Sequence, residues 1–410
     1  MKFSAYNISP EIKQSISESG FTRPTDIQFK AIPPILNGDD VLAIAQTGTG
    51  KTAAFVIPVL HKMQASAAQE RPAGIRCLVM VPTRELALQI TEVFEQLSKY
   101  TGLKAFSVFG GVEQDPQIVA LLAGVDILVA TPGRMFDLVS QGFLKLAALE
   151  ILILDEADHM LDLGFIHDIR QLIRFLPRKR QTLFFSATIS PEIKKLAYSL
   201  VQNPIRIQIS PKDPVSKNVN HSVAYIPMDD KRFFLERLIK ENPDSKILVF
   251  VRTKVRAERV CKALERADIK SYTIHGDKDQ KDRLAVMKQF KTGDIRILIA
   301  TDVSARGIDI PNVEYVVNYD LPEKTENYVH RIGRTGRGDH HGNAVSFCSP
   351  EEMELLEEIS DYLGKDIKVL AIEKNDYSET IDFAVEAGHD WRKLLKDEES
   401  EPVKKKKQKR

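Results

Sequence analysis

Cysteine is scarce. Cys77, Cys261 and Cys348 lie far apart and form no C-x-x-C pair, which argues against a disulfide framework or a zinc site and fits a reducing, cytoplasmic setting. Long hydrophobic runs are missing too: none approaches about 18 consecutive apolar residues, so no membrane span is expected. The opening MKFSAYNISPEIKQ has no apolar h-region, so no signal peptide is expected either. Charge of one sign is not in excess, the formal net charge being +1. Any nucleic-acid surface must therefore come from local clustering of basic residues. Only one tryptophan, Trp391, is present.

What remains is a globular profile, with 43% hydrophobic and 28% charged residues in a chain of 410, a length that suits two domains of moderate size. Between residues 40 and 210 short apolar runs recur: DVLAIA, CLVMVP, DILVAT, EILILDE, TLFFSAT and IRIQIS. They are mostly unbroken rather than alternating, as expected for strands buried on both faces of a parallel sheet. Helix-like segments such as TRELALQITEVFEQLSKY and PEIKKLAYSLVQN separate them, which makes βαβ alternation and an α/β domain. The pattern restarts with KILVFV, YTIHG, RILIAT, VEYVVNYD and NAVSFC, and ISPKDPVSKNVN between the two sets reads as a linker. The expected organisation is a first domain over 1–210, a linker over 211–218, a second domain over 219–372 and a charged, disordered tail over 373–410.

AQTGTGKT (45–52) follows the strand-like DVLAIA and precedes the helix-like TAAFVIPVLHKM. That is the setting of a phosphate-binding loop, where backbone N–H groups at a helix start face phosphates. The motif usually opens with glycine, and here Ala45 stands at the strand's end, where a methyl is tolerable. Gly48 and Gly50 let the backbone curl; Lys51 would meet the β- and γ-phosphates and Thr52 would ligate Mg²⁺. Downstream, EILILDEADHML runs four apolar residues into Asp155. An acid at the end of a buried strand needs a cation or partner, so Asp155 would hold Mg²⁺ through water and Glu156 would orient or deprotonate the attacking water.

The tetrapeptide D-E-A-D at 155–158 is the signature of the DEAD-box RNA helicases, and the sequence resembles that family through further motifs in order. GFTRPTDIQ (20–28) looks like the Q motif, with Phe3 as the isolated upstream aromatic; PTRELA (82–87), GG (110–111), TPGR (131–134) and SAT (186–188) follow. VFVRT (249–253), Gln280 with Arg283, ATDVSARGID (300–309) and HRIGRTGR (330–337) match in the second half. The resemblance covers about residues 1–370, and GFIHDIR and VVNYDLP look most like the bacterial RhlE-type subgroup.

The resemblance implies two tandem RecA-like domains with parallel sheets flanked by helices and a short linker. It also implies RNA-stimulated ATP hydrolysis that separates short RNA duplexes or remodels ribonucleoproteins. ATP would be bound by Phe3, Arg23, Gln28, the loop residues Ala45, Gln46, Thr47, Gly48, Thr49, Gly50, Lys51 and Thr52, and by Gly307 and Asp309. Gln28 would read the adenine edge, Phe3 would stack and Asp309 would meet the ribose. Arg334 and Arg337, three apart and expected on one helical face, would be arginine fingers; His330 would link the γ-phosphate region to the acidic motif. The site would be complete only when the domains close over ATP.

On the RNA side the resemblance implies Pro82, Thr83, Arg84, Gly111, Thr131, Pro132, Gly133 and Arg134 in the first domain. Arg252, His275, Gly276, Gln280, Arg283, Thr301 and Asp302 form the strand-binding or supporting set in the second. Short hydroxyls and amides that hold phosphates read no bases, so binding of single strands and short duplexes would be sequence-neutral. Ser186 and Thr188 would couple nucleotide state to RNA near Asp158. Ribosome-assembly or RNA-decay proteins are expected partners of a monomer. Two other readings stay open, an ATP-gated RNA clamp and a DNA translocase, the latter disfavoured by the Q-motif resemblance. The terminal KKKKQKR reads equally as a phosphate-binding arm and as a solubilising end.

Overall fold

The computed structural model describes residues 2–46, 48–65, 74–209, 215–305, 310–336, 340–372 and 377–380. The first half forms seven strands: β1 (Val41–Ala45), β2 (Cys77–Met80), β3 (Ala105–Val108), β4 (Ile127–Ala130), β5 (Ile151–Leu154), β6 (Gln181–Ser186) and β7 (Ile205–Ile209). They order as β3-β4-β2-β5-β6-β1-β7, and each recorded pairing is parallel. Side chains alternate across this sheet. Val41, Ala43, Val79, Ile153, Leu183 and Phe185 point into one apolar layer, and Leu42, Ile44, Leu78, Met80, Leu152, Leu154 and Phe184 into the other. Both faces are thus covered, which is why the strands read as unbroken apolar runs.

The second half forms β8 (Val219–Tyr225), β9 (Ile247–Phe250), β10 (Tyr272–Ile274), β11 (Ile297–Ala300), β12 (Tyr315–Asn318), β13 (Gly342–Cys348) and β14 (Lys368–Val369). Their order is β10-β11-β9-β12-β13-β8-β14, again parallel throughout. Counted from its own first strand, this is the same permutation as the first sheet. Two copies of one doubly wound topology therefore stand in tandem, as tandem RecA-like domains require. In such sheets ligands gather beyond the carboxyl ends of the strands, where the winding reverses.

Helices supply the crossovers. Lys51–Ala65 follows β1, Arg84–Ser98 follows β2 and Pro191–Leu200 follows β6, close to the helix-like segments read from the sequence. No helix among the described residues is long and apolar enough to cross a membrane.

Candidate nucleotide and RNA site

The phosphate loop leaves β1 and enters the helix Lys51–Ala65 through two glycines with positive φ, Gly48 at 79° and Gly50 at 91°. A side chain at Gly50 would also meet Gln28 Nε2 at 2.5 Å, so this position demands glycine twice over. Ala45 is fully buried at the end of β1, and its carbonyl accepts a 2.9 Å hydrogen bond from Lys51 Nζ. Thr49 Oγ1 donates to the carbonyl of Gln46 at 2.7 Å, Gln46 and Thr52 are half-buried, and Thr47 lies outside the described residues.

The Q-motif segment closes on this loop. Thr25 and Gln28 make a capping box at the start of the helix Asp26–Asn37. Thr25 N–H donates to Gln28 Oε1 at 2.9 Å, and Gln28 Nε2 donates to the carbonyl of Gly50 at 3.1 Å. Each amide atom spends one of its two hydrogen-bonding capacities here, which leaves one of each for an adenine edge. Arg23 is exposed. Phe3 differs from its expectation: the ring is 4% exposed, packed 6.1 Å from Tyr6 and 6.3 Å from Phe21 within the core. It acts as a staple for the N-terminal segment and presents no open stacking face.

At the end of β5, Asp155 is 3% exposed and accepts the Glu156 N–H at 3.0 Å. Burial pushes its carboxyl up to about 6; Lys51 pulls the other way and the neighbouring Glu156 adds to the rise. Glu156 holds a left-handed backbone, φ 52° and ψ 49°. That conformation is strained for a side chain with a Cβ, and such strain concentrates at functional positions. His159 Nδ1 stands 3.5 Å from Glu156 Oε2. Asp158 Oδ2 accepts from Thr188 N–H at 3.1 Å and Thr188 Oγ1 at 3.2 Å, which ties the D-E-A-D segment to SAT. Ser186 is fully buried, and among the described residues its Oγ has no hydrogen-bond partner.

The expected RNA residues of the first half sit at strand ends. Thr83 caps the helix Arg84–Ser98, its Oγ1 accepting from Leu86 N–H at 3.3 Å. Arg134 Nη2 donates to the carbonyl of Val112 at 2.9 Å, which joins TPGR to the GG segment. Gly111 has φ 77°, and a Cβ there would lie 2.1 Å from Arg84 Nη1. Thr131 is the N-cap and Pro132 the first residue of the helix Pro132–Ser140, with Gly133 exposed behind them.

In the second half, His275 Nε2 lies 2.8 Å from Glu258 Oε1, and Gly276 beside it is exposed. Gln280 opens the helix Gln280–Thr292 and Arg283 lies in its first turn; Thr301 follows β11 and is half-buried. Asp302 serves as a support: its carboxylate takes a two-pronged bond from Arg331, Nε to Oδ1 at 2.6 Å and Nη2 to Oδ2 at 2.8 Å. Arg331, which the sequence reading passed over, is 1% exposed and also donates from Nη1 to the carbonyl of Asp320 at 2.7 Å. HRIGRTGR likewise differs from its expectation, because the helix Thr325–Ile332 stops at Gly333. His330 lies in its last turn, while Arg334 sits in the turn beyond, Nε donating to the carbonyl of His330 at 3.0 Å. Arg337, Gly307 and Asp309 lie outside the described residues.

Residues 25–196 match the DEAD/DEAH box helicase model, and residues 230–339 match the helicase conserved C-terminal domain. The ATP-dependent RNA helicase RhlB of Shewanella frigidimarina is 42% identical over 378 residues, covering 91% of this chain and 87% of the relative. The chain belongs to the DEAD-box ATP-dependent RNA helicases. Among solved structures it is similar to S. cerevisiae Dbp5 bound to RNA and ADP BeF3, with TM-score 0.82 and 30% identity over 94% of this chain and 99% of that one. It is also similar to the DEAD-box helicase Mss116 bound to ssRNA and UDP-BeF, with TM-score 0.83 and 26% identity over 96% and 86%. The bacterial relative bears the name RhlB, not RhlE.

Proposed function

We propose that this DEAD-box helicase hydrolyses ATP at the end of β1 and β5 when RNA is bound, and uses the cycle to separate short duplexes without reading sequence. The observation that carries the reading is the buried acid at Asp155, pushed up to about 6 by desolvation beside the phosphate-loop lysine. Burying a carboxylate with so few donors is unfavourable unless a cation completes the site. Among the described residues no group of three or more His, Cys, Asp or Glu could hold a metal ion. Mg²⁺ keeps most of its waters and takes one or two protein oxygens plus phosphates. Thr52 and Asp155 would hold it, and it would supply charge neutralisation across the phosphate oxygens.

In this reading Glu156 orients the attacking water and accepts its proton, held by a strained backbone that fixes its direction. Lys51 leaves the Ala45 carbonyl for the phosphates. Gln28 reads adenine from a position already hydrogen-bonded to Gly50. Arg334 and Arg337 from the second domain stabilise charge on the γ-phosphoryl group, Asp309 takes the ribose and His330 links the two sets. Asp158 with Thr188 and Ser186 transmits the nucleotide state to the RNA residues of the first domain. The domain limits of 1–210 and 219–372, a monomeric state, a cytoplasmic setting and RNA-assembly or RNA-decay partners belong to the same proposal. GFIHDIR and VVNYDLP support a finer place near RhlE-type proteins, and a tree of full-length bacterial sequences would choose between RhlE and RhlB.

Glu156→Gln tests the chemistry. It should keep ATP and RNA binding and lose about a thousand-fold in RNA-stimulated hydrolysis, the usual worth of a general base. Hydrolysis within ten-fold of the native rate would overturn the assignment. Unwinding matched RNA and DNA duplexes with the native chain checks the substrate: RNA alone should open.

A further inference from the structure

Beneath the VFVRT segment of the second half lies a buried ionic network whose Lys231 and Glu352 belong to none of the motifs. Lys231 is 0% exposed and Glu352 1%. Lys231 Nζ donates to Glu352 Oε2 and, at 2.8 Å, to the carbonyl of Tyr319. Glu352 Oε2 also accepts Ser349 N–H at 3.2 Å, and Oε1 accepts Leu321 N–H at 3.1 Å and Arg252 Nη2 at 2.9 Å. A carboxylate has about four lone-pair sites, and all are taken. Asp320, likewise buried, accepts Arg252 N–H at 2.9 Å and Arg256 Nη1 at 3.0 Å.

Arg252 reaches the surface with 34% of its side chain exposed, as Arg256 does with 35%. Of the Arg252 guanidinium, Nη2 alone enters the network among the described residues; its Nε stands 3.9 Å from Glu323, which is itself largely exposed. Two buried carboxylates thus face three cations, Lys231, Arg252 and Arg256. A long basic side chain loses rotamer freedom when it grips a phosphate. One already held at its far end has lost most of it beforehand.

We infer that Glu352 is a positioning residue that anchors Arg252 for an RNA phosphate, and that Lys231 is the counter-charge that fixes Glu352. The inference rests on the reading of Arg252 as an RNA contact. Lys231 sits 2.8 Å from a strand-end carbonyl and is shut off from solvent, so it touches no RNA itself. Its role is to hold the carboxylate in place while the outer edge of Arg252 engages the ligand.

A double-mutant cycle on the full chain tests this, with a labelled U-rich single-stranded RNA and a non-hydrolysable ATP analogue. Glu352→Gln should weaken RNA binding about five-fold, the usual worth of pre-ordering one long side chain at an interface. It should raise the RNA concentration for half-maximal ATPase by the same factor and spare the rate at saturating RNA. In an Arg252→Ala background, Glu352→Gln should have no further effect on binding. An equal loss in both backgrounds, or none in either, would overturn the anchoring role and leave Glu352 purely structural. Unchanged binding by Arg252→Ala alone would remove the RNA contact and this inference with it. Should Glu352→Gln fail to fold, Lys231→Met with Glu352→Leu replaces the ion pair by apolar groups. That pair enters the same cycle under the same criteria.

Discussion

The two halves repeat one sheet topology, yet they treat buried charge at the strand ends in opposite ways. In the first, Asp155 is sealed in with one backbone donor from Glu156, Lys51 rests on a carbonyl, and Ser186 Oγ is buried without a partner among the described residues. In the second, Glu352 and Asp320 are surrounded by donors, from Lys231, Arg252, Arg256 and backbone amides. Buried polar groups left short of partners are costly, and native proteins keep few of them. The first cluster is therefore a seat shaped for a ligand that brings its own charges. The second is already full and serves as scaffold for Arg252, whose outer edge it leaves exposed.

The same change at each buried lysine breaks or sharpens this contrast most. Lys231→Met leaves the fully buried Glu352 without its main counter-charge, and stability to urea should fall by about 3–5 kcal/mol. Adding Glu352→Leu should recover most of that loss. Lys51→Met removes one bond to a carbonyl and should cost only about 1 kcal/mol, while abolishing ATPase. Equal destabilisation by the two changes would erase the distinction between seat and scaffold.

Asp155 gives the next largest effect, through pH. Its carboxyl titrates near 6 in the folded protein because of burial, above the ordinary value of 3.8. A carboxyl raised on folding binds its proton more tightly in the native state, so stability falls as pH rises through this window. The penalty is absent below pH about 4 and complete above about 6, amounting to about 3 kcal/mol at most. Asp155→Asn should then melt higher than the native chain at pH 7.5 and level with it at pH 4. An advantage of the same size at both pH values would show that packing, not ionisation, is responsible.

The seat was legible in the sequence and the scaffold was not, for a physical reason. A phosphate loop is local: strand, glycines, lysine and helix start occupy eight residues, and backbone geometry ties the residue types to the spacing. Parallel strands with both faces covered likewise announce themselves as apolar runs, and eleven of these runs fall on strands. The three that escaped notice are marginal in character. β3 is half-exposed at a sheet edge, β14 has two residues, and VNHSVAY of β8 mixes polar with apolar positions. Lys231 and Glu352 stand 121 residues apart in no recurrent pattern, so only the folded chain pairs them. Arg331 hid differently. Inside HRIGRTGR it is one of three arginines of equal appearance, and only its two-pronged bond to Asp302 marks it as a support.

The smallest expected effect concerns two threonines in matching places. Thr83 accepts Leu86 N–H at 3.3 Å and starts the helix after β2; Thr253 accepts Arg256 N–H at 3.2 Å and starts the helix Lys254–Arg266 after β9. Each is an N-cap, and Thr→Ala at either should remove about 1 kcal/mol of stability, with Thr→Ser nearly neutral. Only Thr83 is also assigned to RNA. Its alanine variant should weaken RNA binding in the titration used for Arg252, and its serine variant, which keeps the hydroxyl, should bind as the native chain does. If Thr83→Ala loses stability alone, with RNA affinity intact, the hydroxyl is a cap and nothing more. The RNA surface of the first half would then begin at Arg84.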